Sequence, residues 1–218
     1  GWCYGAAPLI KAASELLPIV LHGGGMMTGS RRQVVSPQLR DFEKRHDMYI
    51  AKMTGQLFSE AYTQGLLCDR GAVFDSEPPT AAILATEKIS GHGLAMLSAL
   101  QQAHYIQGRR IAEKITLIEI ANQLGLNTQQ FSQAFDYQIK YATQAHFKQT
   151  HQFMNKVNAQ QIMMAVSKLQ ILKIIPADCG HICEFEINEC CECKRMKSNM
   201  TLCCGTCREA FNATHRLP

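Results

Sequence analysis

The chain has 218 residues, a formal net charge of +4 and 46% hydrophobic residues, enough to bury the core of one elaborated domain or two small ones. Its charge divides into 15 basic and 12 acidic residues up to Gln160 and 7 and 6 after it, which excludes the basic excess of a nucleic-acid surface. No run approaches the ~18 apolar residues of a membrane span and no signal peptide is visible, so a soluble globular protein with no membrane partner is expected.

Gly1-Trp2-Cys3-Tyr4 opens the chain with a cysteine between aromatic residues, and Leu9, Ile10, Ala13, Leu16 and Leu17 follow at helical spacing. The spacing predicts one helix from Cys3 that tolerates Pro8 near its first turn and stops at Pro18. A cysteine at such a helix start is a candidate redox thiol, because unpaired N–H groups and the helix dipole favour its thiolate. Ile19, Val20, Leu21 and His22 then read as a short buried strand ended by Gly23, Gly24 and Gly25. The cluster running on to Gly29 has neither a Gly-Lys-Ser/Thr ending nor Gly-x-Gly-x-x-Gly spacing, so it reads as a turn and not as a nucleotide site. His22 reads as a satisfied core or loop histidine and not as a base.

Ser36-Pro37 is an N-cap followed by a good first helical residue, and Leu39, Phe42, His46, Tyr49, Ile50 and Met53 form one apolar stripe up to Gly55. Phe58, Ala61, Tyr62 and Leu66 predict a shorter helix. Ser76-Glu77-Pro78-Pro79 begins another, which carries Ala81 to Ile89 and closes at Gly91-His92-Gly93; Leu94, Leu97, Leu100 and His104 continue on the next. Ile115 to Leu124 predicts a helix broken at Gly125, and Asn127-Thr128 caps one with Phe131 and Phe135. That last pair resembles a helix-turn-helix, with Gln129, Gln130 and Gln133 placed to read bases. Its second helix carries Asp136 and no Lys or Arg before Lys140, so the charge that binds phosphate is lacking and a helical hairpin is the better account.

Cysteine usage changes abruptly, with only Cys3 and Cys68 in residues 1–160 and eight cysteines in the last 58. The first part reads as a reduced, cytoplasmic protein in which one sharply placed cysteine is catalytic. In the tail, Cys190-x-x-Cys193 and Cys204-x-x-Cys207 are paired like zinc ligands, with Cys179, His181 and Cys183 nearby. Two glycosylation sequons at Asn199 and Asn212 would instead suit an oxidised, disulfide-bonded tail. A third reading is an out-of-frame segment, and the three stay open.

Trp2-Cys3-Tyr4-Gly5, the stretch from His22 to Gly29, Val73-Phe74-Asp75-Ser76-Glu77-Pro78 and Ala103-His104-Tyr105 together resemble the DsbA-family thiol-disulfide oxidoreductases, nearest to the cytoplasmic FrnE-like branch. The resemblance covers roughly residues 1 to 160. It implies an α/β, thioredoxin-like fold with a large all-helical insertion, incomplete at both ends. Residues 1–35 would be the thioredoxin-like part, 36–157 the helical insertion with the return to the core, and 158–218 a Cys-rich tail foreign to the family. It also implies a Cys-Gly-Trp-Cys site in which Cys3 is the resolving cysteine and Trp2 tunes it, with the attacking cysteine ahead of Gly1 and so outside the sequence. The function implied is thiol-disulfide oxidoreductase or disulfide isomerase on thiol or disulfide protein substrates, without a cofactor and impaired by the absent first cysteine. Where the family has a cis-proline, this chain reads Val157-Asn158-Ala159-Gln160-Gln161-Ile162. A glutathione-dependent isomerase or kappa-type transferase relative is the alternative within the superfamily, and Cys3 argues against it, since that branch usually lacks the second cysteine.

Overall fold

In a computed structural model of the chain, which describes residues 1–156, two short helices, α1 (Trp2–Gly5) and α2 (Ala7–Ser14), stand where the spacing predicts one. The break has a local cause. Pro8 has no N–H to offer the Tyr4 carbonyl, and the side-chain amide of Gln56 donates to that carbonyl instead, at 2.8 Å. Residues 19–22, expected as a buried strand, form no strand among the described residues, and Val20 is 76% exposed. A strand needs a neighbouring edge for its N–H and C=O groups, and apolar content does not supply one.

The sheet found among the described residues is a ribbon of β1 (Gln33–Val34) and β2 (Val73–Phe74), antiparallel, with Gln33 opposite Phe74 and Val34 opposite Val73. The α/β class expected from sequence therefore appears here as a mostly helical structure with one small sheet.

Between the two strands lies α3 (Pro37–Thr54), started as expected by Ser36, whose hydroxyl accepts from the Leu39 N–H at 3.2 Å, and ended by Gly55. Its buried face is not the expected one. Leu39 and Ile50 are buried, but Phe42, Tyr49 and Met53 are 47%, 55% and 59% exposed, His46 is exposed, and Glu43 and Asp47 take the inner positions. The helix follows the partners available to its side chains, and Tyr62 offers Asp47 a hydrogen bond inside. Residues 61–68 form a wide turn of π-helix and a turn of 3-10 helix in place of the regular helix predicted.

From β2 onward the expected helices are present: α4 (Glu77–Ser90), α5 (Gly93–Gln101), α6 (Lys114–Gln123) and α7 (Thr128–Tyr137). Asn127 caps α7 by accepting from the Gln130 N–H at 2.9 Å. These four helices share one core in which Ala81, Ala82 and Ala85 give α4 a flat face, so that Met96, Leu117, Ile120 and Phe131 pack closely on it. A second cluster of Val35, Leu39, Tyr62, Leu66 and Leu67 lies under α3. Among the described residues no helix is long and apolar enough to cross a membrane.

The last described helix, α8 (Thr143–Lys156), carries the side chains that hold residues 23–25. His146 Nε2 accepts from the Gly23 N–H at 2.9 Å, and His151 Nε2 lies 2.7 Å from the Gly24 carbonyl oxygen. Gly25 has φ +59°, and a Cβ there would come within 2.9 Å of the Phe147 ring, whereas one at Gly24 would meet nothing within 4 Å. Gly25→Ala should therefore destabilise the chain by about 1–3 kcal/mol while Gly24→Ala stays within ~0.5 kcal/mol, as read from urea midpoints.

Candidate active site

Cys3 lies in α1 with an exposed, free thiol, and the turn that carries it is shaped by what presses on it from beneath. A Cβ on Gly1 would sit 2.1 Å from Asp47 Oδ1 and 2.6 Å from Ile50 Cδ1, so a side chain at position 1 would have to displace the Asp47 and Ile50 side chains of α3. Tyr4 is 4% exposed, stacks on Tyr105 at 4.6 Å and donates its hydroxyl to the Leu57 carbonyl at 3.1 Å. Phe58 packs edge-on against both tyrosines. Aromatic packing thus fixes the turn from one side and leaves Cys3 open on the other.

Beneath it sits a buried polar group. Asp47, its side chain 3% exposed, accepts the Tyr62 hydroxyl on Oδ2 at 2.8 Å. Its Oδ1 has no hydrogen bond and lies 3.7 Å from the Gly1 nitrogen, which itself is 3.0 Å from the Tyr105 hydroxyl. Burial pushes the Asp47 carboxyl above the usual carboxylate range, and does the same to Glu43 one helical turn earlier. The Tyr62 and Tyr105 phenols are raised for the same reason first and by Asp47 second. His104 is pushed down to about 3 by burial and is neutral at ordinary pH, with Nδ1 enclosed and without a hydrogen-bond partner.

A cavity of about 300 Å³ opens beside this group, bounded by Cys3, Glu43, Tyr62, Phe74, His104 and Tyr105. An accessible thiol at the mouth of a partly apolar cavity has the geometry for exchange with a sulfur compound seated there. The motif residues after β2 brace its rim. Asp75 Oδ1 accepts from the Glu77 N–H at 2.9 Å, and Ser76 both donates its N–H to the Met27 carbonyl and accepts from the Met27 N–H.

Of the residues singled out in the sequence, Cys3 borders the cavity and Trp2 belongs to the same turn. Cys190, Cys193, Cys204 and Cys207, with Cys179, His181 and Cys183, lie outside the described residues. His22 stacks on Phe153 at 5.3 Å, away from Cys3. Gln129, Gln130 and Gln133 are exposed on α7, but Asp136 beside them is paired with Lys114 at 2.6 Å, which adds no free cation for a phosphate. Sequence reasoning missed Glu43, Asp47 and Tyr62. The available signal was a pair of acids at i and i+4 facing the same way as Leu39 and Ile50.

No family profile matches the chain, and no curated protein does. Solved structures do. The chain is similar to the cytosolic disulfide reductase DsbM from Pseudomonas aeruginosa with GSH, at 49% identity and a TM-score of 0.68, over 72% of this chain and 76% of that one. A further structure of the same reductase matches at the same identity and TM-score over 75% of its length. A candidate protein disulfide isomerase from Nitrosomonas europaea matches at 25% identity and a TM-score of 0.61, over 70% of this chain and 73% of that one.

The buried histidine makes stability depend on pH with a definite sign. Folded His104 takes up a proton only near pH 3 while the unfolded residue does so near 6.5, so the unfolded chain binds more protons in between and stability is lost as pH falls through that window. Glu43 and Asp47, raised above their unfolded values, act in the opposite sense as they protonate. Comparison with His104→Gln isolates the histidine: between about pH 5.5 and 4.5 the parent should lose about 1.4 kcal/mol per pH unit more than the variant, measured by urea unfolding.

Proposed function

This chain belongs to the DsbA family of thiol-disulfide oxidoreductases, and from that premise we propose that Cys3 is its redox-active thiol, with Trp2 as the neighbour that tunes it. The observation that carries the proposal is the exposed, free Cys3 at the mouth of the cavity, on a turn fixed by α3 and the Tyr4–Tyr105 stack. In this reading residues 1–35 are the thioredoxin-like part and 36–157 the helical insertion that shapes the substrate surface. In the family motif the attacking cysteine precedes Gly1 and Cys3 resolves; acting alone, the Cys3 thiolate itself attacks a sulfur of a substrate disulfide, forming a mixed disulfide and releasing a thiolate. Family kinship favours this over DNA binding, as does Asp136 on the would-be reading helix, which engages Lys114 of α6. The presence of GSH with the Pseudomonas reductase makes glutathione disulfide the first small substrate to test.

We further propose that Cys3 without a partner cysteine stops at the mixed disulfide, because one thiol can form the adduct but cannot release it as a dithiol does. With glutathione disulfide, the Cys3 peptide should gain one glutathione by mass and the chain should show no multiple turnover. Placing a cysteine before Gly1 should let the adduct resolve into a Cys-Gly-Trp-Cys disulfide and restore turnover, and Cys3→Ser should remove both. Failure of the folded, extended chain to pair its new cysteine with Cys3 would reject the redox assignment.

A further inference from the structure

The cavity beside Cys3 is bordered by two polar groups that have no hydrogen-bond partner among the described residues, the Glu43 carboxyl and the His104 Nδ1. Glu43 is 8% exposed, borders the cavity and makes no hydrogen bond or ion pair there. His104 is neutral, bonded to the Arg109 backbone, and its enclosed Nδ1 has no partner. The Asp47 Oδ1 behind them has no hydrogen bond and faces the Gly1 nitrogen at 3.7 Å. The nearby side-chain cations are engaged elsewhere, Arg110 on Asp69 and Glu113 and Arg32 on Asp75 at 3.5 Å, and the Gly1 amine that borders the cavity is turned to Asp47. Glu43 and His104 Nδ1 are thus left as buried acceptors without a hydrogen-bond donor.

We propose that this cavity is a subsite for a protonated primary amine carried by the thiol or disulfide compound that exchanges with Cys3, with the ammonium at Glu43 and His104 Nδ1 and the sulfur at Cys3. The proposal rests on the redox reading of Cys3 and adds a substrate class to it: short aliphatic aminothiols, their disulfides, and amine-bearing arms of peptide thiols. About 300 Å³ accommodates such an arm and no folded partner. The step is balanced without a further reagent. Cys3 loses its proton, its sulfur attacks one sulfur of R–S–S–R, the S–S bond breaks, and RS⁻ leaves and is protonated by water, leaving Cys3–S–S–R and RSH.

Three disulfides of similar length test it: cystamine, bis(2-hydroxyethyl) disulfide and dithiodiacetate, which are cationic, neutral and anionic. Adduct formation on the Cys3 peptide of the full chain is timed by mass, and each rate is divided by that of N-acetylcysteine amide to cancel intrinsic reactivity. Cystamine should be favoured over the neutral disulfide by about fivefold or more, although the chain as a whole is positive. Glu43→Gln should bring that ratio towards one, and the exposed Glu60→Gln should keep it. Independently of any variant, propylammonium should slow the cystamine reaction of the parent chain while 1-propanol does not. A normalised ratio near one, a preference for dithiodiacetate, or no competition by propylammonium overturns the amine subsite and leaves Cys3 a redox thiol. No adduct at Cys3 with any of the three overturns the redox reading itself.

Discussion

The close crossing of α3 over the turn that carries Cys3 is the constraint on which the rest of the site depends. At Gly1 the helix comes so near that a single added carbon would lie 2.1 Å from Asp47 Oδ1. The glycine ahead of Trp2-Cys3 lets the Asp47 and Ile50 side chains of α3 lie against the turn. Around this crossing Asp47 meets Tyr62, Tyr105 stacks on Tyr4, and the cavity opens beside β2, α3 and the start of α4.

A carboxyl buried this deeply is costly, and its cost is only partly offset. The Tyr62 hydroxyl satisfies one oxygen and leaves the other without a hydrogen bond, an arrangement worth roughly 1–3 kcal/mol less than a fully paired one. Such imperfect satisfaction beside an accessible thiol fits the redox site proposed for Cys3. Glu43 and the unpartnered His104 Nδ1 extend the deficit into the cavity, where a ligand can answer it.

Much of the local fold could be read from residue types whose effect is short-ranged. Ser36-Pro37, Asn127, Gly55 and Gly91 act on their own helix ends, and each does what its chemistry predicts. The α4–α7 core follows from apolar spacing for the same reason. What escaped the reading depends on contacts distant in sequence. The break between α1 and α2 needs Gln56, the failure of residues 19–22 to form a strand depends on a missing edge, and the rotation of α3 that buries Glu43 and Asp47 needs Tyr62. The thiol proposed for the chemistry, Cys3, stood out in the sequence because an aromatic-flanked cysteine opening a helix is a local pattern. The acids and the histidine nitrogen around it did not, since no local pattern separates a buried acid from a solvated one.

Cys3 and Cys68 are both free and exposed in the described structure, yet only Cys3 borders the cavity. The most direct measurement is therefore a competition within one folded chain: a disulfide is supplied below one equivalent, the reaction is quenched by acid, and every cysteine peptide is quantified by mass. If the turn, the cavity and the buried polar group together make a redox site, the adduct concentrates on Cys3 and spreads evenly over the cysteines once the chain is unfolded in urea. Equal labelling of Cys3 and Cys68 in the folded chain would contradict the account.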